Sequence, residues 1–427
     1  MPRAKHKPAP TTADQPAPTT PLHPAMPSVE RVQQELATAT SIEDFFGKEG
    51  IFARLFATTM EQMLEAELTA HLGYEPYAPE GRNSGNTRNG SRPRRLRTSA
   101  GDHTIQVPRD RNSTFQPALL DPYQTSTNEL EEKIIALYAK GVSARDIQQT
   151  LHELYGITIS AATVSAVTDK VWSLVEAWQN RPLEAVYPIM YLDAIHMKIR
   201  RDGRVQNTAV YVVLGLTCTG QRDVLGHWVG DGSEGASFWL SVLSDLQARG
   251  VEDVFIACVD GLVGFSEAIR AIFPRTVVQR CVIHQVRQSL TYVGWNDRKA
   301  FVAGLRQVYQ APTRELAETK LLELGERWGG QYAMAVRCWE RAWEELATMF
   351  DYPPDIRRLI YTTNAVEGYN RQLRKVTKTK GAFPTVESVR KLLYLVNRDI
   401  TAKWVTLPNW ARIRNQLAIR FDGRFPG

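Results

Sequence analysis

The run Ile189-Met190-Tyr191-Leu192-Asp193-Ala194-Ile195 confines the fold more tightly than any other stretch of the chain. It is apolar enough for a central strand buried on both faces, yet a carboxylate stands in its middle. A lone buried carboxylate is expensive, so Asp193 needs hydrogen-bond donors, a cation or a metal beside it. Val254-Phe255-Ile256-Ala257-Cys258-Val259 repeats the pattern and ends on Asp260, with Gly261 at a strand-to-helix joint. Sheets with parallel strands bind ligands at such carboxyl ends. Each aspartate also has a plainer reading: backbone amides can satisfy Asp193, and Asp260 can cap the following helix.

The surrounding pattern supplies the sheet. Residues 189–200 read as a strand, Arg201-Asp202-Gly203 as a hairpin turn, 208–217 as a second strand and 223–229 as a third. Ser233 stands where it can cap a helix to about Arg249, with Glu234 favouring the dipole of its first turn. A strand over 253–259, a helix over 265–272 and a strand over 276–279 complete a βαβ pattern. A meander joined to βαβ predicts an α/β domain with a mixed sheet and helices on its faces. Residues 282–358 are helical in pattern throughout, and the stretch from Asn364 is mostly helical, broken by Gly381 and Pro384.

At 427 residues, 43% hydrophobic and 23% charged, the composition is that of a globular chain of two or three domains. No apolar run approaches the ~20 residues of a membrane span. Four cysteines cannot form a disulfide framework, and Met1 is followed by a Pro-rich stretch without the apolar segment of a secretory signal, so a cytoplasmic location is expected. The placement of charge is more informative than its size. Between Arg82 and Arg111 stand eight arginines against Asp102 and Asp110, an excess of six that equals the net charge of the whole chain. A basic excess confined to one segment suits a phosphate-binding surface, although a solvated charged loop has the same composition.

Residues 1–27 hold eight prolines among Ala and Thr and are expected to be a disordered tail. Residues 28–73 carry apolar side chains at helical spacing (Phe52, Leu55, Phe56, Met60, Met63, Leu64, Leu68) and stop near Gly73. The Arg-rich segment, 74–128, is turn-rich, with a short strand expected over 103–107 ending at Pro108. Over 129–180 come three short helices: 130–140, then one opened by Ser143 with Ile147, Leu151 and Leu154 on one face, then one opened by Ser160; Gly141 and Gly156 separate them. The joints resemble a helix-turn-helix, whose last helix, 161–170, would enter a major groove with Thr163, Ser165 and Thr168 exposed and Val164 and Val167 inward. A plain three-helix packing unit has the same periodicity.

Glu367 lies in Tyr361-Thr362-Thr363-Asn364-Ala365-Val366-Glu367-Gly368-Tyr369-Asn370, where Thr363 can cap a helix, and Arg371, Arg374, Lys375, Lys378 and Lys380 follow. An intrahelical Glu367–Arg371 pair would explain it without chemistry. Together, however, Leu192-Asp193-Ala194-Ile195, Val259-Asp260-Gly261-Leu262, Gln279-Arg280-Cys281-Val282-Ile283-His284 and the Tyr361 to Glu367 string resemble the Mutator-type transposases of bacterial insertion sequences. The likeness is colinear over about residues 45–403, through Arg88-Asn89-Gly90, Val107-Pro108-Arg109-Asp110-Arg111 and Tyr138-Ala139-Lys140-Gly141-Val142-Ser143. The Pro-rich tail and a second Gly- and Asn-rich stretch before Arg88 depart from it. The resemblance implies an RNase H-like core with a five-stranded mixed sheet over 181–280, an all-α insertion over 281–360, and a closing part over 361–427. It implies catalytic and metal-binding roles for Asp193, Asp260 and Glu367, and a Cys-x-x-His pair at Cys281 and His284 without fixing its role. It further implies a nucleoid-associated DNA transposase, working as at least a dimer on terminal inverted repeats and target DNA.

The chemistry can also be reasoned directly. Pairing of the first strand with the βαβ strand lets Asp193 and Asp260 face one another across ~5 Å. With Glu367 they make an all-oxygen site suited to Mg2+ or Mn2+, two ions per site, and unsuited to zinc. Cys281 and His284 are half of a zinc site with no second pair at ligand spacing, which favours a supporting role beside the sheet's end. Expected DNA contacts are Arg88, Arg92, Arg94, Arg95, Arg97, Arg109, Arg111, Thr163, Ser165, Arg371, Arg374, Lys375 and Lys378. Trp339 and Trp343, four apart, could stack on an unpaired base, although that spacing also suits a core. Two other functions fit the sequence: a domesticated DNA-binding protein without catalysis, favoured if the carboxylates stand apart, and a nuclease that cuts without joining.

Overall fold

The computed structural model describes residues 29–45, 50–98, 101–122, 124–232, 235–361 and 363–426. The expected tail over 1–27, and Ser233 and Glu234 at the expected helix start, lie outside the described residues. Two compact units result: the described parts of 1–133 with 148–160, and those of 134–147 with 161–427. No described helix is long and apolar enough to cross a membrane, and the four cysteines are free thiols.

In the first unit α1 (Val29–Ala37) and α2 (Ile51–Leu72) precede a hairpin of β1 (Arg88–Thr98) and β2 (Gly101–Asp110). α2 stops at Gly73, whose φ of 80° is the left-handed conformation that glycine adopts without strain. Leu64 of α2 packs with Leu96, Ile105, Val107 and Leu120, so one face of the hairpin closes a small core. The hairpin is longer than the expected 103–107 strand, because the arginine run is itself β1 and β2 continues through Pro108, opposite Ser91. A two-stranded hairpin leaves each strand one unpaired edge, where the missing proline N–H interrupts no ladder.

The expected helices are α3 (Asn128–Ala139), α4 (Ala144–Tyr155) and α5 (Ala161–Asp169), followed by α6 (Trp172–Gln179). Gly141 and Gly156 take φ of 83° and 63° at the two breaks, and the Ser143 hydroxyl accepts from Asp146 N at 3.2 Å. The boundary between the compact units passes through α3 and α4. Ile147 and Leu151 are buried, but Leu154 is 68% exposed: it lies in the last turn of α4, and beyond Gly156 it is Ile157 that is buried instead.

In the second unit β3 (Val186–Arg201), β4 (Arg204–Leu216), β5 (Arg222–Val229), β6 (Asp253–Val259) and β7 (Val277–Arg280) form one sheet in the order β5-β4-β3-β6-β7. β3, β4 and β5 run antiparallel in turn, while β6 is parallel to both β3 and β7, so the sheet is mixed as the meander and βαβ pattern predicts. Asp202 and Gly203 turn the first hairpin with φ of 49° and 76°, the primed geometry that matches strand twist. α7 (Ala236–Ala248) and α8 (Phe265–Ile272) pack Trp239, Leu243, Phe265 and Ile269 against Met190, Leu192, Tyr211 and Val213. The helical stretch after β7 is α9 (Val282–Leu290), α10 (Arg298–Tyr309), α11 (Arg314–Trp328), α12 (Ala333–Ala347) and α13 (Pro354–Ile360). α14 (Asn364–Thr377) then returns to β3 and β4, backed by α15 (Val386–Thr401), and α16 (Trp410–Arg420) ends the chain's regular structure.

Candidate active site

β3 outruns its parallel neighbour. The β3–β6 pairing ends at Tyr191 opposite Cys258, so Asp193 and Asp260 each lie two residues past the last paired couple. Asp260 Oδ1 accepts from Leu262 N at 3.2 Å, a local turn, but it does not cap the following helix, whose N-cap position is Gly264 with no side-chain cap. Gly261, at φ 92°, lets the Arg280 guanidinium lie where a Cβ would stand, and Arg280 Nη2 donates to Gly261 O at 2.9 Å. Glu367 comes from the first turn of α14. The three carboxylates line one open cleft of about 510 Å3 with His284 and Asn370, and Arg287, Arg371, Arg374, Lys375 and Lys378 form its cationic side.

Asp193 is 9% exposed. Ala194 N donates to its Oδ1 at 3.0 Å and Asn370 Nδ2 to its Oδ2 at 2.7 Å, so a backbone amide does contribute, together with a side chain from α14. Burial pushes the carboxyl up to about 6; the His284 charge opposes this and the Asp260 charge adds to it. His284 is raised as well, but by charge and against its burial. Burial pulls it down, but the neighbouring Cys281 thiol and the charges of Asp193 and Asp260 prevail and raise it to about 9. Glu367 pairs with neither aspartate nor with Arg371: Arg287 donates through Nη1 at 2.7 Å and Nη2 at 3.3 Å, and His284 Nε2 stands 3.4 Å away.

Among the described residues no three His, Cys, Asp or Glu side chains form a group that could hold a metal ion. The donor chemistry nonetheless suits a hard cation. The carboxylates offer oxygen only, Asp193 and Asp260 repel one another, and buried Asn370 Oδ1 beside them has no hydrogen-bond partner. Glu367 is already shared between Arg287 and His284.

Among the described residues, Cys281 and His284 fall in no group of three side chains that could hold a metal ion. Cys281 caps α9, its N–H donates to Val259 O at 2.7 Å, and Val282 N donates to Tyr361 O at 3.0 Å. This turn ties the end of β6 to the segment leading into α14. Cys281 Sγ lies 3.4 Å from Thr363 Oγ1, and Thr363 makes no side-chain cap to α14.

The expected DNA contacts separate in the structure. Arg371, Arg374, Lys375 and Lys378 are exposed on the cleft. Arg92, Arg109 and Arg111 are exposed on the hairpin or just past it. Arg88 is committed inside its own unit, to Glu65 at 2.9 Å, Thr69 at 2.8 Å and Tyr74 O at 3.0 Å. Arg94 donates to Gln124 O and Asp121 O, Arg95 pairs with Asp102, and Arg97 Nε is 3.9 Å from the same carboxylate. On α5, Ser165 is exposed and Thr163 half-buried, but Thr168 is buried with its hydroxyl donating to Ser165 O at 2.9 Å, a back-bond that replaces the expected outward contact. Trp339 is 1% exposed, donates to Ser289 Oγ at 2.7 Å and offers no face to a base, whereas Trp343 is half-buried and donates to Glu318 at 3.0 Å.

Three parts of the site escaped the sequence reading. Asn370 and Arg287 each stand one helical turn past a residue already singled out, Glu367 and His284, and that i, i+3 spacing was the available signal. The third is the anchor beneath α14, where His227 Nε2 and Tyr369 Oη are 2.7 Å apart and Tyr369 Oη donates to Asn397 Oδ1 at 3.0 Å. Burial, helped by the Arg181 charge, pulls His227 down to about 3 and keeps it neutral.

The family described as "Transposase, Mutator family" matches residues 27–406. The transposase for insertion sequence element ISRM3 of Rhizobium meliloti is 43% identical over 394 residues, 92% of this chain and 97% of that protein. A probable transposase for an ISRM3-like element of Sinorhizobium fredii is 42% identical over the same shares. The transposase for element IS256 in transposon Tn4001 of Staphylococcus aureus is 27% identical, covering 86% of this chain and 94% of its own. Among solved structures, a chain of the simian T-cell lymphotropic virus intasome in complex with a PP2A regulatory subunit covers 42% of this chain and 69% of its own. Its 10% identity and TM-score of 0.17 are too slight a likeness to bear on the fold.

Proposed function

The chain belongs to the Mutator family of transposases, and from that premise we propose that it cuts DNA at the ends of an insertion sequence and joins the freed 3′-OH to target DNA. The observation that carries this reading is the meeting of Asp193, Asp260 and Glu367, from three separated parts of the chain, on one cleft with a cationic side. The sheet order and its single antiparallel meander support an RNase H-like core, with α9 to α13 as the all-α insertion before Glu367.

The three carboxylates would hold Mg2+ or Mn2+, two ions per site. Such ions activate the attacking oxygen and stabilise the leaving one in an in-line phosphoryl displacement. The protein's own groups do the rest. Arg371, Arg374, Lys375 and Lys378 bind backbone phosphates and fix the strand's register without reading sequence. Asn370 and Ala194 N hold the Asp193 carboxylate in one orientation. His284, charged at neutral pH, offsets the carboxylates before a cation arrives. When water attacks, its oxygen bonds to phosphorus as the bond to the 3′ oxygen breaks, leaving a 3′-OH and a 5′-phosphate. When that 3′-OH attacks a target phosphodiester, its oxygen bonds to phosphorus as the target's own bond from phosphorus to the 3′ oxygen breaks, so the freed end is joined to the target's 5′ side and a target 3′-OH is released.

Labelled element ends incubated with target DNA in Mg2+ test this. Asp193→Asn, Asp260→Asn and Glu367→Gln should each abolish cutting and joining and leave end binding nearly intact; robust joining by any one would overturn the three-carboxylate assignment. The Arg287–Glu367 pair, and the absence among the described residues of a three-ligand metal group, favour a second reading, a DNA-binding descendant without chemistry. End binding by the parent protein with no product in Mg2+ or Mn2+ is its signature, and cutting without joining is that of a nuclease.

A further inference from the structure

The cleft at the carboxylates continues beyond Lys378. His196, Arg374 and Lys378 line it and also line a second cavity, of about 340 Å3, which extends past Lys198 to Lys380 and Phe383. Strand pairing sets its limits. β6 covers the edge of β3 as far as Tyr191, and Phe383 closes that edge again farther on, its N–H donating to Lys198 O and its carbonyl accepting from Arg200 N, both at 2.8 Å. The segment around it is fixed: Tyr138 Oη donates to Ser388 O at 3.1 Å, and Gly141, at φ 83°, admits Val376 O within 2.4 Å of where a Cβ would stand.

Every titratable side chain lining this second cavity is basic. Lys380 is half-buried, with its ammonium 4.3 Å from the Tyr138 ring centroid and 5.7 Å from that of Phe383. The charged group facing it is Lys391, whose own charge is taken by Asp169 at 2.5 Å. Burial, with the Lys391 charge added, pulls Lys380 down to about 8. The ring faces attract the ammonium, but burial and the Lys391 charge oppose it and no carboxylate lines the cavity, so an anion is the partner its charge lacks there.

We propose that the pocket of His196, Lys198, Arg374, Lys378 and Lys380 binds a backbone phosphate of the DNA strand being processed, next to the phosphate at the carboxylates. This rests on the DNA-cutting site proposed above. A strand suits better than a free phosphate because the two cavities share three residues, so one chain of phosphates occupies both.

Binding of a short single-stranded oligonucleotide, followed by fluorescence anisotropy in EDTA over a salt series, tests the pocket without any chemistry. Lys198→Gln/Lys380→Met should lower the log–log salt slope by about 0.7, the value of one single-strand phosphate contact. Lys198→Gln alone, at an exposed position, keeps the measurement readable if Lys380→Met disturbs folding. Neutral methylphosphonates placed one at a time along the oligonucleotide should reveal one linkage that weakens binding to the parent and has no effect on the variant. An unchanged slope, or the same methylphosphonate profile in both proteins, overturns the pocket. That result stands whether or not the parent cuts DNA in Mg2+, so it is distinct from failure of the cutting reaction, which shows as absence of product.

Discussion

Asp193 is the residue on which sequence and chemistry bear together. It was legible because a carboxylate in an apolar strand has few tolerable surroundings, and the structure supplies two donors, the His284 charge and a like-charged neighbour. Its proton is held more tightly in the folded protein, up to about 6, than at its ordinary value of 3.8. Asp193 therefore favours folding below about pH 4, and that contribution is lost as the pH rises through 6. In EDTA, Asp193→Asn should consequently be more stable than the parent at pH 8, by on the order of 1 to 3 kcal/mol, with the gap closing toward pH 4. Urea unfolding at pH 4, 6 and 8 measures this. A variant less stable than the parent at pH 8 would mean that the Asn370 and Ala194 hydrogen bonds outweigh the desolvation. Arg88 shows where residue-level reading fails. Composition counts it with the other arginines, but its partners Glu65, Thr69 and Tyr74 are contributed by a helix and a turn that only folding brings to it.

At the scale of elements, α14 is the most informative. Glu367, Asn370, Arg371, Arg374, Lys375 and Lys378 recur at three- and four-residue steps and line the cleft, while Val366, Tyr369 and Leu373 are buried behind them. That periodicity is visible in the sequence, as are the strands bearing Asp193 and ending at Asp260. The hold on α14 is not visible, since its buried hydrogen-bond chain joins residues from β5, α14 and α15. Tyr369→Phe removes the hydroxyl that links His227 to Asn397 and leaves buried polar atoms unsatisfied. It should cost about 1 to 3 kcal/mol of stability, read as a lower urea midpoint at unchanged slope. An unchanged midpoint would show that water replaces the hydroxyl and that apolar packing alone seats the helix. Elements were misjudged where a local signal had a second solution. Pro108 marks a strand end only if its N–H is needed, and the hairpin does not need it. Two tryptophans four apart mark a stacking platform only if the helix face is open, and on α12 Trp339 faces inward.

At the scale of the whole molecule, the basic excess and the carboxylates fall on different compact units, the hairpin on the first and the cleft on the second. The order of these parts was legible from charge and periodicity. The passage of the unit boundary through α3 and α4 was not, because helical period says which face is apolar and nothing about what covers it. The division leads to a separation of binding from chemistry. Of the arginines in the hairpin segment, Arg92, Arg109 and Arg111 are exposed, while Arg88, Arg94 and Arg95 are held by their own unit. Arg92→Gln/Arg109→Gln/Arg111→Gln should thus weaken binding to duplexes of any sequence and reduce the log–log salt slope by about 2 to 3, close to 0.9 per phosphate released. The same protein should keep its metal-dependent nicking rate once DNA is saturating, because the three carboxylates and the α14 cations are untouched. Arg88→Met should behave oppositely, lowering the unfolding midpoint with little change in slope, since its charge already has partners. Salt-series binding beside single-turnover nicking separates these outcomes. A triple variant with an unchanged slope would make the hairpin a structural element and leave the α14 face as the main polyanion surface of the chain.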